Sequence, residues 1–234
     1  MVQAPVKLSG EQRRAAIVKA VRRVFAEKGF HGTTTRELAR AAGVSEGLLF
    51  KHFPNKEALY SAMQISCYHE KDNGTIARLK SLEPSASTLV LLVHWIVSHM
   101  IEDRSNGAAD DDQEMLQTRL FLRSVTEDGE FARHLLRGGP SQGCRKLEEC
   151  LKAAIAAGDA AEGPVRPALS GWFAQHLAAM IKIHLLPDKP VVDYNLSRQK
   201  LAEQAVWFIL RGMGLKEQAI RRYYNPRALA LLSE

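Results

Sequence analysis

Apolar residues recur at the spacing of an α-helix along almost the whole chain, and this repeat constrains the fold more than any other feature of the sequence. Over residues 11–28, one helix face carries apolar residues at positions i, i+4, i+7 and i+8, namely Ile17, Val21, Val24 and Phe25. No stretch alternates between polar and apolar residues, as a half-buried strand does, over more than a few residues. The pattern therefore predicts an all-α fold without a β-sheet.

Capping residues mark the start and the end of the first helix. Ser9 and Gln12 have the spacing of a capping box, and Gly29 follows the last apolar position, where glycine commonly ends a helix. The basic residues between these caps are expected to be plain surface residues, with phosphate contact as the alternative: Lys19, Arg22 and Arg23.

Two short helices and a tight turn follow the first helix. Thr34 and Glu37 form a second capping box. Gly43 supplies the turn, and Ser45 caps a third helix. Pro54 ends this helix, because proline disfavours helical backbone at the residue before it. Two short helices joined by a glycine turn predict a helix-turn-helix, whose second helix enters the major groove of DNA.

The rest of the chain also has helical periodicity. A fourth, longer helix is predicted from Asn55 to about Leu82, and the later helices are expected at 86–103, 113–127, 130–137, 141–157, 167–186, 197–214 and 216–231. The helix at 86–103 is apolar nearly all round, so we expect it at the centre of a helical bundle. The intervening aspartates at 110–112 are expected to form a solvated acidic turn.

The excess positive charge lies entirely in the first quarter of the chain. The net charge is +6. Residues 1–57 hold 11 Lys and Arg against 5 Asp and Glu, whereas residues 58–234 hold 21 of each sign. A local basic field attracts polyanions such as DNA, because bound phosphates release their counterions. A solvated basic surface is the alternative interpretation.

The helix-turn-helix segment also resembles a known family. Its motifs are similar to the DNA-binding segment of the TetR (tetracycline-repressor) family over about residues 11–60, and they comprise Gly29–Ala39, Ala42–Gly47 and Phe50–Leu59. The resemblance implies a helix-turn-helix DNA-binding domain at residues 1–55, with three helices. It also implies a larger, all-helical effector-binding and dimerisation domain at residues 56–234.

Carried over residue by residue, the resemblance implies which side chains contact DNA. The implied contacts lie at the start of the first motif helix, on the second motif helix and at the start of the fourth helix: Thr34, Thr35, Arg36, Ser45, Glu46, Gly47, Leu48, Phe50, Lys51, His52 and Lys56. Lys56 is expected to meet a phosphate. Leu48 either belongs to the core or touches a thymine methyl group, whereas Leu38, Leu49 and Phe53 are expected in the core.

Phe50 departs from the family pattern, which usually has a tyrosine at this position. The tyrosine hydroxyl commonly donates a hydrogen bond to a phosphate, and a phenylalanine ring has no such donor. Either this phosphate contact is lost in the present chain, or another group replaces it.

Beyond the DNA-binding segment, only isolated features suggest sites. Polar and aromatic residues within apolar helices are candidates for an effector pocket, with ordinary core packing as the alternative: Trp95, His99, Arg119, Phe121, Trp172, His176 and Met180. The last two long helices, which pair with their copies in the family, are candidates for a dimer interface, with packing inside one chain as the alternative: Phe173, Leu177, Ile181, Leu201, Ala205, Phe208 and Ile209.

These observations predict a sequence-specific DNA-binding transcriptional regulator, most simply a repressor released from its operator by a small-molecule effector. The expected partners are double-stranded operator DNA, an unknown small molecule and a second copy of the chain. No cofactor and no metal are expected. No membrane span is expected either, because the longest apolar run, Leu89–Val97, is far shorter than a membrane span. Three cysteines without a pairing pattern suit the cytoplasm. An all-helical enzyme and an architectural DNA-binding protein without an effector are the alternatives.

Overall fold

The computed structural model describes residues 9–69, 78–79, 81–102, 108–187 and 189–231, and these form an α-helical protein. The labelled helices are α1 Gly10–Lys28, α2 Thr35–Ala41, α3 Glu46–His52, α4 Lys56–His69, α5 Ala86–Ile101, α6 Ala108–Thr126, α7 Glu130–Arg137, α8 Gly139–Ala156, α9 Pro167–Leu185, α10 Arg198–Gly212, α11 Glu217–Tyr223 and α12 Pro226–Leu231. Within the described ranges, extended pairing is limited to one isolated bridge between Ala160 and Leu215. The predicted all-α fold is confirmed.

The chain divides into two compact units at places that differ from the predicted boundary between residues 55 and 56. Unit 1 contains the described parts of 1–71 and 107–136, and unit 2 contains those of 72–106 and 137–234. The helix-turn-helix unit therefore includes α6, which packs against α1. Leu120 of α6 is buried in the same apolar cluster as Phe25 of α1.

The apolar face of α1 forms the centre of unit 1. Ile17, Val21 and Phe25 are fully buried, whereas Val24 is half-buried at the edge of the same cluster. The three residues expected in the core of the helix-turn-helix lie there: Leu38, Leu49 and Phe53. Burial of each such side chain contributes roughly 1.5–3 kcal/mol relative to exposure. This cluster therefore holds α2 and α3 on α1.

Arg22 lies in the protein interior, which corrects the expectation of a surface position. Its side chain is 3% exposed, and its Nη2 donates a hydrogen bond to Ser66 Oγ of α4 at 2.7 Å. The buried face of α1 is wide, because it includes Val18 and Ala26 beside the predicted apolar stripe. Arg23 is exposed, as expected, and forms an ion pair with Glu27.

Helix α5 is the centre of unit 2, as its apolar surface predicted. It packs against α8, α9, α10, α11 and α12. Leu89, Val93 and Val97 are fully buried. Helices α8 and α9 also approach each other closely at Gly171, where an added Cβ would lie 2.9 Å from the Cα of Cys144. Glycine permits this contact because it has no side chain to displace its neighbour.

Two predicted elements differ from the structure, and one predicted boundary falls partly outside the described residues. The predicted helix 216–231 is two helices, α11 and α12, with extended backbone at Tyr224 between them. Pro226 favours this break, because proline disfavours helical backbone at the residue before it, Asn225. The aspartates at 110–112, expected in an acidic turn, belong to the first turns of α6. The end predicted for the fourth helix near Leu82 falls partly outside the described residues, and α4 is described to His69.

None of the helices described is both long enough and apolar enough to cross a lipid bilayer.

Candidate nucleic-acid interface

Helices α2 and α3 are joined by a tight turn that the sequence specifies locally. Gly43 has a φ of 64°, a left-handed conformation that costs glycine little and other residues more. The backbone N–H of Val44 donates to the carbonyl of Ala39 at 3.0 Å and closes the turn. The predicted helix-turn-helix is therefore present, with Leu38 and Leu49 anchoring its two helices in the core.

All of the predicted helix caps in this region are formed. Ser9 and Gln12 make a capping box on α1. Thr34 and Glu37 make another on α2, where the Glu37 carboxylate accepts from the Thr34 N–H at 2.9 Å. Ser45 Oγ accepts from the N–H of Leu48 at 3.2 Å and caps α3. The starts of α2 and α3 are thus held by side chains close to them in sequence.

The predicted DNA contacts form one outward-facing group in unit 1. The exposed members are Thr34, Arg36, Ser45, Glu46, Gly47, Phe50 and Lys51, and the half-buried members are Thr35, Leu48, His52 and Lys56. None of these side chains is fully buried. The Phe50 ring is 40% exposed, so it faces outward from the core. A role in DNA binding stays a prediction for each of them.

Lys56 organises the loop before α2. Its ammonium donates to the carbonyl oxygens of Phe30 at 2.8 Å and Thr33 at 2.9 Å, and it lies 4.3 Å from the centre of the Phe30 ring. A lysine ammonium has three N–H donors, so one remains for a phosphate oxygen. The predicted phosphate contact is thus compatible with a structural role for the same side chain.

Arg14 holds the far end of α3, a role that sequence analysis missed. Its Nη1 donates to the carbonyl oxygen of His52 at 2.5 Å, and its guanidinium lies 4.1 Å from the centre of the Phe53 ring. The two partners are 38 residues apart in sequence, and helical periodicity carries no signal for such a contact. The only available signal was a basic residue off the apolar face of α1.

Thr35 and Glu46 connect the starts of α2 and α3. Thr35 Oγ1 donates a hydrogen bond to Glu46 Oε2 at 2.9 Å. One carboxylate oxygen is therefore held by the chain itself, while the Glu46 residue remains exposed. The orientation of this acidic group on the outer face is set by a neighbouring side chain.

The effector-pocket candidates are distributed over both units. Arg119 and Phe121 lie in unit 1, where Phe121 packs against the core of that unit. The other candidates lie in unit 2, as two ring pairs within single helices and one exposed methionine: Trp95 with His99, Trp172 with His176, and Met180. Their role in an effector pocket stays a prediction.

Unit 2 contains a buried polar group that sequence analysis did not select as an effector site. Ser98 Oγ lies 3.3 Å from Nδ1 of His94 within α5, and both residues are buried. The His94 ring lies 5.8 Å from the ring of Tyr224. The Tyr224 hydroxyl is buried and has no hydrogen-bond partner among the described residues. The four-residue spacing of His94 and Ser98 in an apolar helix was the signal that could have identified them.

Burial also changes the acidity of groups in unit 2. It raises the pKa of the Tyr224 hydroxyl, with smaller contributions from the carboxylates of Glu203 and Glu102. Burial raises the pKa of the Cys144 thiol to about 11. These groups are therefore neutral at physiological pH.

The structure divides the predicted dimer residues into two sets. Ile181, Leu201, Ala205 and Ile209 are buried in the apolar cluster of unit 2. Their own chain covers most of each of these residues, and their place at a dimer interface stays a prediction. Phe173 and Phe208 are 55% and 71% exposed, and Leu177 is half-buried between these extremes. These three residues line a groove of about 220 Å³ between α9 and α10, together with Ile209.

In the ranges that the structure describes, no three His, Cys, Asp or Glu side chains lie together as metal ligands would.

Comparison with known proteins finds similarity mainly in the helix-turn-helix region. Residues 17–63 match the family described as "Bacterial regulatory proteins, tetR family". The HTH-type transcriptional regulator RutR of Escherichia coli (strain K12) is 44% identical over 69 residues, covering 27% of this chain and 32% of RutR. The HTH-type transcriptional repressor Rv1474c of Mycobacterium tuberculosis is 32% identical over 122 residues, covering 52% of this chain and 55% of the repressor. The matches thus span about a third to a half of these relatives.

A solved structure shares the fold over most of the chain. The crystal structure of AibR in complex with isovaleryl coenzyme A and operator DNA matches with a TM-score of 0.58 at 19% identity. The match covers 84% of this chain and 97% of AibR. The similarity therefore extends beyond the helix-turn-helix to the helices that follow it.

We expect the stability of unit 1 to depend on pH through Glu37. Its pKa is lowered from 4.5 to about 2, first by a hydrogen bond from Lys28 and then by those from Thr34. Because the folded-state pKa is the lower one, the carboxylate stabilises the fold above about pH 4.5. This stabilisation is lost as the pH falls towards 2.

Urea unfolding of the wild type and Glu37→Gln, followed by circular dichroism between pH 2.5 and pH 7, measures this effect. The free energies of unfolding should differ by a constant amount above pH 5 and converge as the pH falls. The same substitution, Glu37→Gln, should have a smaller effect when it is made in a Lys28→Met variant. The free energies of unfolding of Lys28→Met and Lys28→Met/Glu37→Gln should therefore differ less than those of the wild type and Glu37→Gln. A difference independent of pH would show that the Glu37 charge contributes nothing.

Proposed function

We propose that this chain, whose residues 17–63 match the tetR family of bacterial regulatory proteins, binds double-stranded operator DNA as a sequence-specific transcriptional regulator. The observation that carries the proposal is the outward face of the helix-turn-helix, where polar and basic side chains project from two short helices anchored in one core. The excess positive charge of residues 1–57 supports it, because basic charge favours phosphate binding. RutR and Rv1474c, the relatives in this region, are named as a regulator and a repressor.

DNA binding by this surface should weaken steeply as salt rises. If a dimer neutralises roughly 8 phosphates, the logarithm of the association constant should fall with the logarithm of salt concentration at a slope of about −7. Fluorescence anisotropy with a labelled duplex at several salt concentrations measures the slope. Lys51→Ala removes an exposed ammonium from α3 and should make the slope shallower by about 1 for each half-site.

Lys152→Ala is the matched control, since it removes an exposed cation from α8 in unit 2. This variant should keep the wild-type slope. A wild-type slope near zero would contradict DNA binding through residues 1–57. An equal effect of Lys51→Ala and Lys152→Ala would contradict the specific role of α3.

The proposed active form is a homodimer that joins two chains through α9 and α10. Two-fold symmetry suits a helix-turn-helix protein, because two recognition helices can then enter successive major grooves about 34–36 Å apart. The exposed Phe173 and Phe208 support this surface, since large apolar side chains around a groove are typical of interaction sites. In a symmetric contact, each copy places this surface against the same surface of its partner.

Adjacent substitutions in α10 separate the dimer contact from the internal core. Phe208 is 71% exposed and Ile209 is 6% exposed. Phe208→Glu should give a folded monomer, because it places a carboxylate in the proposed contact. Ile209→Glu should lower the free energy of unfolding by several kcal/mol, because it buries a charge without a partner. Sedimentation and thermal unfolding of both variants measure these outcomes, and a Phe208→Glu variant that remains dimeric would contradict the interface.

We assign effector binding to unit 2, and its buried polar group supports this assignment. A buried hydroxyl without a partner costs stability, and a bound small molecule that hydrogen-bonds to it would remove that cost. The Tyr224 hydroxyl is such a group, on a ring near that of His94, which in turn lies within hydrogen-bond distance of Ser98. AibR, which shares the fold, was crystallised with isovaleryl coenzyme A and operator DNA. The proposed regulation couples effector binding in unit 2 to DNA affinity.

Removal of the Tyr224 hydroxyl tests whether it lacks a partner in the free protein. Tyr224→Phe should leave the free energy of unfolding unchanged or raise it by about 1 kcal/mol, since no hydrogen bond is lost. Tyr223→Phe is the adjacent control, because its hydroxyl donates to Asp159 Oδ2 at 3.4 Å and its removal should be destabilising. Chemical unfolding without added ligand measures both values. A clear loss of stability in Tyr224→Phe would contradict this basis for an effector site.

A further inference from the structure

Gly47 is exposed in the first turn of α3, where nothing within the chain requires a glycine. Glycine is a poor helix former, and the backbone of Gly47 is helical, without the positive φ that favours glycine. A Cβ added at this position would meet no described atom within 4 Å. Neither conformation nor internal packing explains the residue. Close approach of an external surface to the α3 backbone explains it.

Two side chains beside Gly47 project from the same part of α3. Glu46 and Phe50 are four residues apart, and this spacing places them on one helix face. Both are exposed. Phe50 is an apolar ring on a face that is otherwise polar, and Glu46 is an acidic group in the most basic part of the chain. Both residues are unusual for a surface that contacts only phosphates.

The chemistry of the major groove provides a partner for each side chain. A carboxylate is repelled by phosphates but accepts a hydrogen bond from the N4 amino group of cytosine. An aromatic ring packs against the 5-methyl group of thymine. Thr35 holds Oε2 of Glu46 at 2.9 Å, so this acidic group has a defined position on the outer face before DNA binds.

We propose that α3 recognises a thymine through Phe50 and a cytosine through Glu46, with Thr35 as a positioning residue for Glu46. This inference rests on the proposed function, since it names the bases that the same surface recognises. Four residues along a helix correspond to about 6 Å, which is close to two base-pair steps of about 3.4 Å each. The two bases therefore lie within about two base pairs of each other in each half-site.

Replacement of thymine by uracil tests the Phe50 contact, because it removes only the methyl group. The full-length chain first selects duplexes from a random pool, and each thymine of the enriched half-site is then replaced in turn. One replacement should weaken wild-type binding about fourfold per half-site, as expected for the loss of one buried methyl group. In Phe50→Ala, thymine and uracil duplexes should bind equally. Val125→Ala, which changes an exposed apolar residue of α6, should retain the wild-type difference.

A change of base preference tests the Glu46 contact. At one position, the wild type should prefer cytosine over the other bases by roughly fivefold or more. Glu46→Gln should shift that preference to adenine, because the glutamine amide pairs with adenine N6 and N7. Thr35→Val removes the positioning hydroxyl and should reduce the preference for cytosine without changing the thymine–uracil difference. A merely structural role for Glu46 or Thr35 would weaken binding to all sequences equally.

The outcomes separate this inference from the proposed function. If no duplex is enriched over the random pool, sequence-specific DNA binding itself is contradicted. If duplexes are enriched but uracil replacement has no effect and Glu46→Gln keeps the wild-type preference, only the base assignments are overturned. Phe50→Tyr gives a further check: because the ring is kept, the thymine–uracil difference should be kept too, and its loss would overturn the assignment of residue 50 to thymine.

Discussion

The position of α3 depends on the burial of two residues, Leu49 and Phe53, in the core around Phe25. Helix α3 has only seven residues, and a helix of that length is unstable alone in water, because nucleation is costly. Its orientation therefore comes from tertiary packing. Leu49 and Phe53 bury one side of this segment, while Glu46 and Phe50 beside it remain exposed.

Several charged groups that suggest DNA binding in the sequence also hold this unit together. Arg14 binds the carbonyl oxygen at the end of α3, Lys56 binds two carbonyl oxygens of the loop before α2, and Lys28 pairs with Glu37 at the start of α2. Each of these contacts is exposed or partly exposed, so each contributes modestly to stability. Their joint effect is to fix the ends of α2 and α3. The basic character of residues 1–57 thus serves both the fold and the proposed affinity for phosphate.

Local features of the sequence predicted the fold where the causes are local. The Thr34–Glu37 capping box and the turn at Gly43 depend on residues within a few positions of each other, and both are present. The central place of α5 follows from its apolar surface on all sides. The grouping of α6 with α1 could not be predicted this way, because it depends on Leu120 meeting Phe25 across the chain.

Sequence patterns also identify site residues only in part. Periodicity identified Phe208 and Ile209 as members of one apolar helix, but it does not say which of them the chain covers itself; the structure buries Ile209 and exposes Phe208. Similarly, the burial of Arg22 depends on its contact with Ser66, 44 residues away. Helical periodicity thus indicates which faces of a helix are apolar, while tertiary packing decides which of these side chains remain exposed to a partner.

If two copies of α3 bind DNA as a symmetric pair, the symmetry of the selected DNA shows this most directly. Duplexes enriched from a random pool by the full-length chain, when sequenced, should contain an inverted repeat. The centres of its half-sites should lie about 10–10.5 base pairs apart or a whole multiple of that distance, as two helices entering successive major grooves require. Enrichment of a single unrepeated motif, or of no motif, would contradict the account.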